Sequence, residues 1–256
     1  MMDINQILET HDNDSCFLYA DWKAPSCVKT LMTTRHGGVS QGAYASLNLG
    51  LHVGDNPDHV LENRRRVAQH IPVPVVYLNQ VHGIECVEAC QYLHQTPDAD
   101  ASYDHTGTVA CAVMTADCLP VLLCDAEGNV VAAAHCGWRS LLNGVLAETV
   151  KKMAVNPTKI MAYLGAAISA DAFEVKDDVR QLFIQKNPQT QNYFADIGDG
   201  QFLADLYGLA KLFLADLNIH QTFGGTHCTV LERHRFFSYR RDGQTGRMLS
   251  AIWLEK

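Results

Sequence analysis

The chain has no CxxC pair, no HxxxH pair and no apolar run near the length of a membrane span. The first two absences remove the short ligand spacings that fix a metal site by themselves. The third leaves no candidate for a bilayer-crossing helix, which takes about 18 consecutive apolar residues. Basic residues are also scarce: 20 Lys and Arg stand against 28 Asp and Glu, a formal net charge of −8. Such a chain lacks the broad basic footprint of a nucleic-acid binder. Its short basic clusters, Arg64-Arg65-Arg66 and Arg240-Arg241, have acidic neighbours in Glu62 and Asp242 and read as salt-bridged surface. No repeat, low-complexity tract or Pro/Gly/Ser-rich linker divides the chain. Met1 to Gln6 shows neither the basic n-region nor the apolar h-region of a secretory leader.

What remains is a chain of 256 residues, 47% hydrophobic, enough to bury one large core. Its nine cysteines are odd in number and scattered, and Cys86, Cys111 and Cys124 lie within apolar runs. That is no disulfide framework; it points to reduced, mostly buried thiols and a soluble protein of the cytoplasm. Apolar periodicity predicts a helix from Asp55 or Asn56 to about Gln69 with Pro57 in its first turn. Strands are expected at Val73 to Leu78, Val109 to Met114, Leu119 to Cys124 and Val130 to Ala134, the last two joined as a hairpin. Further helices are expected over Ser140 to Met153, Val175 to Lys186 and Leu203 to Leu217, with a strand at Lys159 to Leu164. Phe236 to Tyr239 and Met248 to Leu254 are expected to close the chain as strands. The mix implies a single α/β domain (α+β type) over residues 1–256, with mixed β-sheets flanked by helices.

Three side chains stand at the end of an apolar run beside a turn: His82, Cys118 and His135. Two imidazoles and a thiol can hold zinc with one position left open, the pattern of a catalytic site. Cys118 and His135 alone can also form a nucleophile and its base. The blander alternative is an inert buried cysteine and hydrogen-bonding loop histidines. Spacing alone leaves all three open.

A set of motifs in fixed order carries more. Thr34-Arg35-His36-Gly37-Gly38-Val39-Ser40, Ser46-Leu47-Asn48-Leu49-Gly50, Gln80-Val81-His82-Gly83 and Asp100-Ala101 come first. Thr115-Ala116-Asp117-Cys118-Leu119-Pro120, His135-Cys136-Gly137-Trp138-Arg139, Phe236-Phe237-Ser238-Tyr239-Arg240-Arg241-Asp242 and Thr245-Gly246-Arg247-Met248 follow. Together they resemble the YfiH family of laccase-domain, polyphenol-oxidase-like proteins, from about residue 30 to the C-terminus. Residues 1–28 are then an N-terminal extension. The resemblance implies zinc held by His82, Cys118 and His135, and a layered α/β fold similar to cysteine-hydrolase-like toxins. It also implies phosphorolysis of adenosine, inosine, guanosine or S-methyl-5'-thioadenosine, and deamination of adenosine to inosine. The substrates would be a purine nucleoside and phosphate. Two stretches depart from the family pattern: Cys136 and Ser140 in His135-Cys136-Gly137-Trp138-Arg139-Ser140, and Gly165-Ala166-Ala167-Ile168-Ser169-Ala170.

Within that frame Cys118, His135, Asp117 and Glu174 are the catalytic candidates, the two carboxylates as acid or base, with Asp117 alternatively orienting a ligand. Arg35 and Arg139 suit phosphate, and Asn48 and Gln80 suit ribose hydroxyls or base edges. Arg139 packed on Trp138, and Asn48 and Gln80 holding loops together, are the structural alternatives. The 12 histidines contain no His-x-His pair, which argues against the trinuclear copper cluster of blue oxidases. Copper could still occupy the zinc ligands in vitro, because it binds N and S donors more tightly. A metal-free Cys-His amidase acting in peptidoglycan precursor editing uses the same residues and stands as the main alternative.

Overall fold

The computed structural model describes residues 15–256. In chain order the strands and helices begin with β1 (Phe17–Leu18), β2 (Val28–Thr33), α1 (Pro57–Ala68), β3 (Val75–Val76), β4 (Cys86–Glu88), β5 (Ala101–Asp104) and β6 (Ala110–Thr115). Then come β7 (Leu119–Asp125), β8 (Val131–Cys136), α2 (Trp138–Asn143), α3 (Val145–Met153), β9 (Ile160–Leu164), β10 (Glu174–Lys176) and α4 (Asp177–Lys186). The chain ends with β11 (Phe194–Gly198), β12 (Gln201–Ala204), α5 (Leu206–Asp216), β13 (Gln221–Gly224), α6 (Tyr239–Asp242) and β14 (Met248–Leu254).

Two mixed sheets form the body, ordered β1-β2-β14-β6-β3 and β13-β9-β7-β8-β5-β4, with a third sheet, β10-β12-β11, beside them. Side-chain alternation explains the layering. Along β7, Leu122 and Cys124 pack with Val113 of β6 and Ile252 of β14, so the two large sheets face each other. Leu119, Val121 and Leu123 turn the other way, onto Leu141, Val145, Leu146 and Leu209 of α2, α3 and α5. A strand covered on both faces must be apolar at every position, which is why Leu119 to Cys124 shows no alternation. The outer face of the five-stranded sheet is covered by Val67 of α1 and by Leu47 and Leu49. Among the described residues no helix is long and apolar enough to cross a membrane.

The expected β7–β8 hairpin is present, antiparallel with Leu119 opposite Cys136. Helix α1 begins as expected: the Asn56 side chain accepts from the Asp58 N–H, with Pro57 in the first turn. Five expectations change. Ser140 to Met153 is two helices, broken at Gly144, whose φ is 103°. The helices expected from Val175 and from Leu203 start later, because 174–176 and 201–203 pair with each other as strands. The strand expected over Val73 to Leu78 shortens to β3. Phe236 to Tyr239 is not a strand. Phe236 and Phe237 are fully buried with Ala116 and Met248, and the Arg241 guanidinium donates to the Thr229, Val230 and Phe236 carbonyls. Side-chain donors there replace the partner strand.

The N-terminal extension is not separate where it is described: β1 pairs with β2 and joins the five-stranded sheet. The leader reading of Met1 to Gln6 lies outside the described residues.

A candidate metal centre and its cavity

Strand β6 belongs to one large sheet and β7 to the other. The link between them, Ala116-Asp117-Cys118, must therefore turn sharply. Asp117 makes the turn with φ 95°, a left-handed conformation uncommon outside glycine. Its carboxylate pins it: one oxygen accepts from Thr229 Oγ1 at 2.6 Å and the other from the Arg240 N–H at 2.6 Å. Its carbonyl accepts from the Ile168 N–H at 2.9 Å. Cys118 follows at the mouth of β7.

His135 stands next to the end of β8, opposite Pro120 of β7. Its Nδ1 lies 2.7 Å from Asp100 Oδ1, and both groups are buried. The same carboxylate accepts from the N–H groups of Val81, His82 and Gly83 at 3.2, 3.0 and 2.6 Å. Those bonds hold the His82 loop, where His82 itself has φ 59°. One carboxylate thus orients two of the three expected donors.

The donors converge. His82, Cys118 and His135 offer ligand atoms that all lie within 4.8 Å of one another, and Cys118 Sγ is 3.9 Å from His82 Nε2. With Nδ1 of His135 turned to Asp100, Nε2 is left to face the cluster. Burial would raise the Cys118 thiol, but the charges and hydrogen bonds of His135 and His82 outweigh it and draw it down to about 6. Burial would lower His135, yet the Cys118 charge and the Asp100 hydrogen bond hold it above its ordinary range. Asp100 is also buried, which would raise it, but the His135 bond and the backbone donors keep it below the usual carboxylate range. A low thiol and two imidazoles, one with its tautomer set by Asp100, suit a borderline metal ion. Gly137 leaves room for them: a Cβ there would stand 2.9 Å from His82 Cδ2 and 3.1 Å from Cys118 Sγ.

The cluster opens into a cavity of about 610 Å³. Trp138, Ile168, Phe173, Leu206 and Tyr239 supply apolar and aromatic lining. Arg139, Arg240, Arg247 and His52 supply polar lining. Each arginine is stacked on a lining ring: Arg139 on Trp138 at 4.3 Å, Arg240 on Phe173 at 5.4 Å, and Arg247 on Tyr239 at 5.9 Å. A cavity of about 580 Å³ between α2, α3 and α5 is mostly apolar and holds no comparable cluster.

Six expected site residues line this cavity: His82, Cys118, His135, Asp117, Gln80 and Arg139. Gln80 is occupied, its amide exchanging hydrogen bonds with both backbone groups of Met114 at 2.8 and 2.7 Å. It anchors the His82 loop to β6. Arg139 is exposed and packs on Trp138, as the structural alternative had it, with no salt-bridge partner among the described residues. Three residues are elsewhere. Arg35 lines a separate cavity with Arg233 and Arg241, and its guanidinium is bound to the Ala45 and Arg233 carbonyls. Asn48 is fully buried and spends its amide on Gly50, Asp55 and the Arg247 N–H. Glu174 is exposed on β10, and only its carbonyl reaches toward the site, accepting from Arg240 Nη1 at 2.9 Å. The basic run also differs from expectation: Arg65 and Arg66 pair with Glu62, but Arg64 stacks on Tyr77.

Sequence reasoning gave no role to Asp100, Arg247, His52 or Tyr239. Asp100 and Arg247 stand in motifs of the resemblance, but nothing local separates Asp100 from an ordinary turn aspartate.

Residues 29–255 match the family described as multi-copper polyphenol oxidoreductase laccase. The chain belongs to this family. Within it, the purine nucleoside phosphorylase YfiH of Escherichia coli K12 is 50% identical over 94% of this chain and 99% of its own length. The purine nucleoside phosphorylase PA4543 of Pseudomonas aeruginosa is 44% identical over 94% of this chain and 99% of its own. Among solved structures, Neisseria meningitidis protein NMB0706 superposes with a TM-score of 0.94 at 62% identity, covering 94% of this chain and all (100%) of that one. YlmD of Geobacillus stearothermophilus superposes with a TM-score of 0.81 at 30% identity, covering 90% of this chain and 93% of its own. These YfiH-type domains confirm the mixed α/β fold expected from sequence.

Proposed function

We propose that this YfiH-family chain is a zinc-dependent purine nucleoside phosphorylase. Its substrates are adenosine, inosine, guanosine and S-methyl-5'-thioadenosine, and it also deaminates adenosine to inosine. The observation that carries this reading is a metal-donor cluster opening into a cavity with three arginines. The lining carboxylate, Asp117, is already bound on both oxygens. In a chain of net charge −8 this local positive field draws an anion inward. The E. coli and P. aeruginosa relatives, named purine nucleoside phosphorylases, support the phosphorolysis in this reading.

Zinc bound by His82, Cys118 and His135 would supply a Lewis acid with one position open to substrate or water. In phosphorolysis a phosphate oxygen bonds to C1′ of the ribose as the C1′–N bond breaks. The electron pair leaves with the base, which takes up a proton. Arg139 presents cationic donors to phosphate, and the Trp138, Phe173 and Tyr239 rings suit the face of a purine. Asp117, tied to Thr229 and Arg240, holds the Cys118 turn; Glu174 is exposed on β10 and is not among the residues that line the cavity. All nine cysteines are free thiols, which suits a reducing cytoplasm.

One observation favours a second reading. The low Cys118 thiol beside His135, with Asp100 on the far ring nitrogen, is also a thiolate–imidazole–carboxylate arrangement for a metal-free amidase. The test separates the two. Purified protein is assayed for bound metal and incubated with adenosine, with and without phosphate. Adenine and ribose 1-phosphate formed only with phosphate support phosphorolysis; inosine without phosphate supports deamination. Protein without zinc, whose Cys118→Ser variant keeps both reactions, overturns the proposal. An amidase would instead resist chelators and lose activity on thiol alkylation.

A further inference from the structure

We propose that Arg247 is the residue that grips inorganic phosphate in this cavity, and that Asn48 is the positioning residue that aims it. The proposal rests on the phosphorolysis reading and adds which of the arginines does the work, and how it is held.

Arg247 precedes β14 and lines the cavity with Cys118 and Asp117. Its Nη1 donates to the Thr245 and Gly246 carbonyls, both at 3.0 Å, which fixes the plane of the guanidinium. Among the described residues no acceptor meets its Nε or Nη2, and it is in no salt bridge. A half-buried guanidinium with a free edge and no counter-ion is a bidentate site for an oxyanion. Burial lowers its affinity for its own proton despite the nearby Cys118 and Asp117 charges, so it is poorly solvated where it stands.

The other two arginines are less suited. Arg240 also donates Nη1 to a carbonyl, that of Glu174, but it is exposed, so water screens its charge more than that of half-buried Arg247. Arg139 is exposed and held only by its stack on Trp138. It can meet an incoming anion but has no bond that fixes its direction.

Arg247 is fixed from below. Its backbone N–H donates to Asn48 Oδ1 at 2.9 Å, and its carbonyl accepts from the Leu49 N–H at 3.1 Å. The same Asn48 oxygen accepts from the Gly50 N–H at 2.9 Å, and its amide donates to Asp55 at 2.9 Å. The Asn48 carbonyl in turn accepts from Asn63 at 2.9 Å. The Arg247 stem lies on Gly50, where a Cβ would come within 2.9 Å of its Cγ. Asn48 was expected to touch substrate; its buried side chain instead acts through the arginine it supports.

The test uses zinc-loaded protein and two readouts. Equilibrium dialysis with radiolabelled inorganic phosphate, without nucleoside, reads the anion site directly. Steady-state phosphorolysis gives separate KM values for phosphate and nucleoside. Arg247→Gln is expected to weaken phosphate binding and raise the phosphate KM by at least about tenfold, the scale of one charge-assisted bidentate contact. The nucleoside KM should stay within about threefold, and bound zinc should not change. Arg247→Lys should fall between, keeping charge but losing the fork. Asn48→Ala should move the phosphate KM in the same direction with the nucleoside KM held. Unchanged phosphate affinity in Arg247→Gln, or equal loss for both substrates, overturns the Arg247 assignment. A folded Asn48→Ala protein with normal phosphate KM overturns the positioning role. If wild-type protein binds phosphate through Arg247 yet performs no phosphorolysis, the anion site stands and the activity reading fails.

Discussion

Asp100 lies 2.7 Å from Nδ1 of His135 while also gathering the backbone of the His82 loop. It therefore sets both the tautomer of one expected ligand and the place of another. Asp100→Asn keeps the size but replaces one carboxylate oxygen with an NH2, which cannot accept from the N–H groups it would face. The expected result is a loss of metal affinity of about 10- to 100-fold, read by competition with a coloured chelator. Unchanged affinity would show that the His82 loop holds its place without this carboxylate.

Gly137 is packed against His82 and Cys118 at 2.9 and 3.1 Å from where a Cβ would stand. His82 is exposed, so the loop can yield and the fold should survive. Gly137→Ala should keep a wild-type circular dichroism spectrum and bind metal more weakly. A variant that binds metal as tightly as wild type would mean that the ligands stand further apart when loaded.

The thiols should divide sharply in reactivity. Burial pushes Cys86 and Cys124 up to about 12 and also raises Cys111 well above the ordinary thiol value. Cys118 is drawn down to about 6, chiefly by His135 against its burial. In native, metal-stripped protein near neutral pH, peptide mapping after brief iodoacetamide treatment should find Cys118 modified before those three. Added zinc should protect it. Labelling of Cys111 ahead of Cys118 would contradict the site as described.

Glu232 ties the segment before α6 together. Its carboxylate accepts from the Cys228 N–H at 2.8 Å and pairs with Arg235 at 3.0 Å and His227 at 3.1 Å. Burial would raise it, but these partners hold it below its ordinary value. A carboxyl depressed in the folded state stabilises above its unfolded value, and that contribution is lost as pH falls through the folded one. Glu232→Gln should cost on the order of 1 kcal/mol in urea unfolding at neutral pH, and the gap should close in acid. A gap that widens in acid would reverse the sign of this argument.

Much of this architecture is legible in the sequence because it rests on long apolar runs. The β7–β8 hairpin and α1 carry strong local signals, an unbroken buried run in one case and Asn56-Pro57 in the other. The third sheet carries none: its strands are short and one edge is exposed, so 174–176 and 201–203 look like helix starts. Phe236-Phe237 looks like a strand because burial, not pairing, selects those side chains. At the site, chemistry-bearing residues at run ends were recognisable, and His82, Cys118 and His135 do meet. What sequence hides is which polar side chains are already spent. Asn48 and Gln80 have the right chemistry for ribose, but backbone groups distant in sequence consume it.

Cys118 at the mouth of β7 and His135 on its partner β8 belong to one large sheet, whereas Gln80 ties the His82 loop to Met114 of β6 in the other. The distance between ligands is thus coupled to how the two sheets sit on each other. Anything that lets them slide, such as trimming Leu122 at their shared interface, acts on the ion as a slackened hinge acts on a clasp. Metal escape would then sense loosening in the middle of the protein well before the chain comes apart.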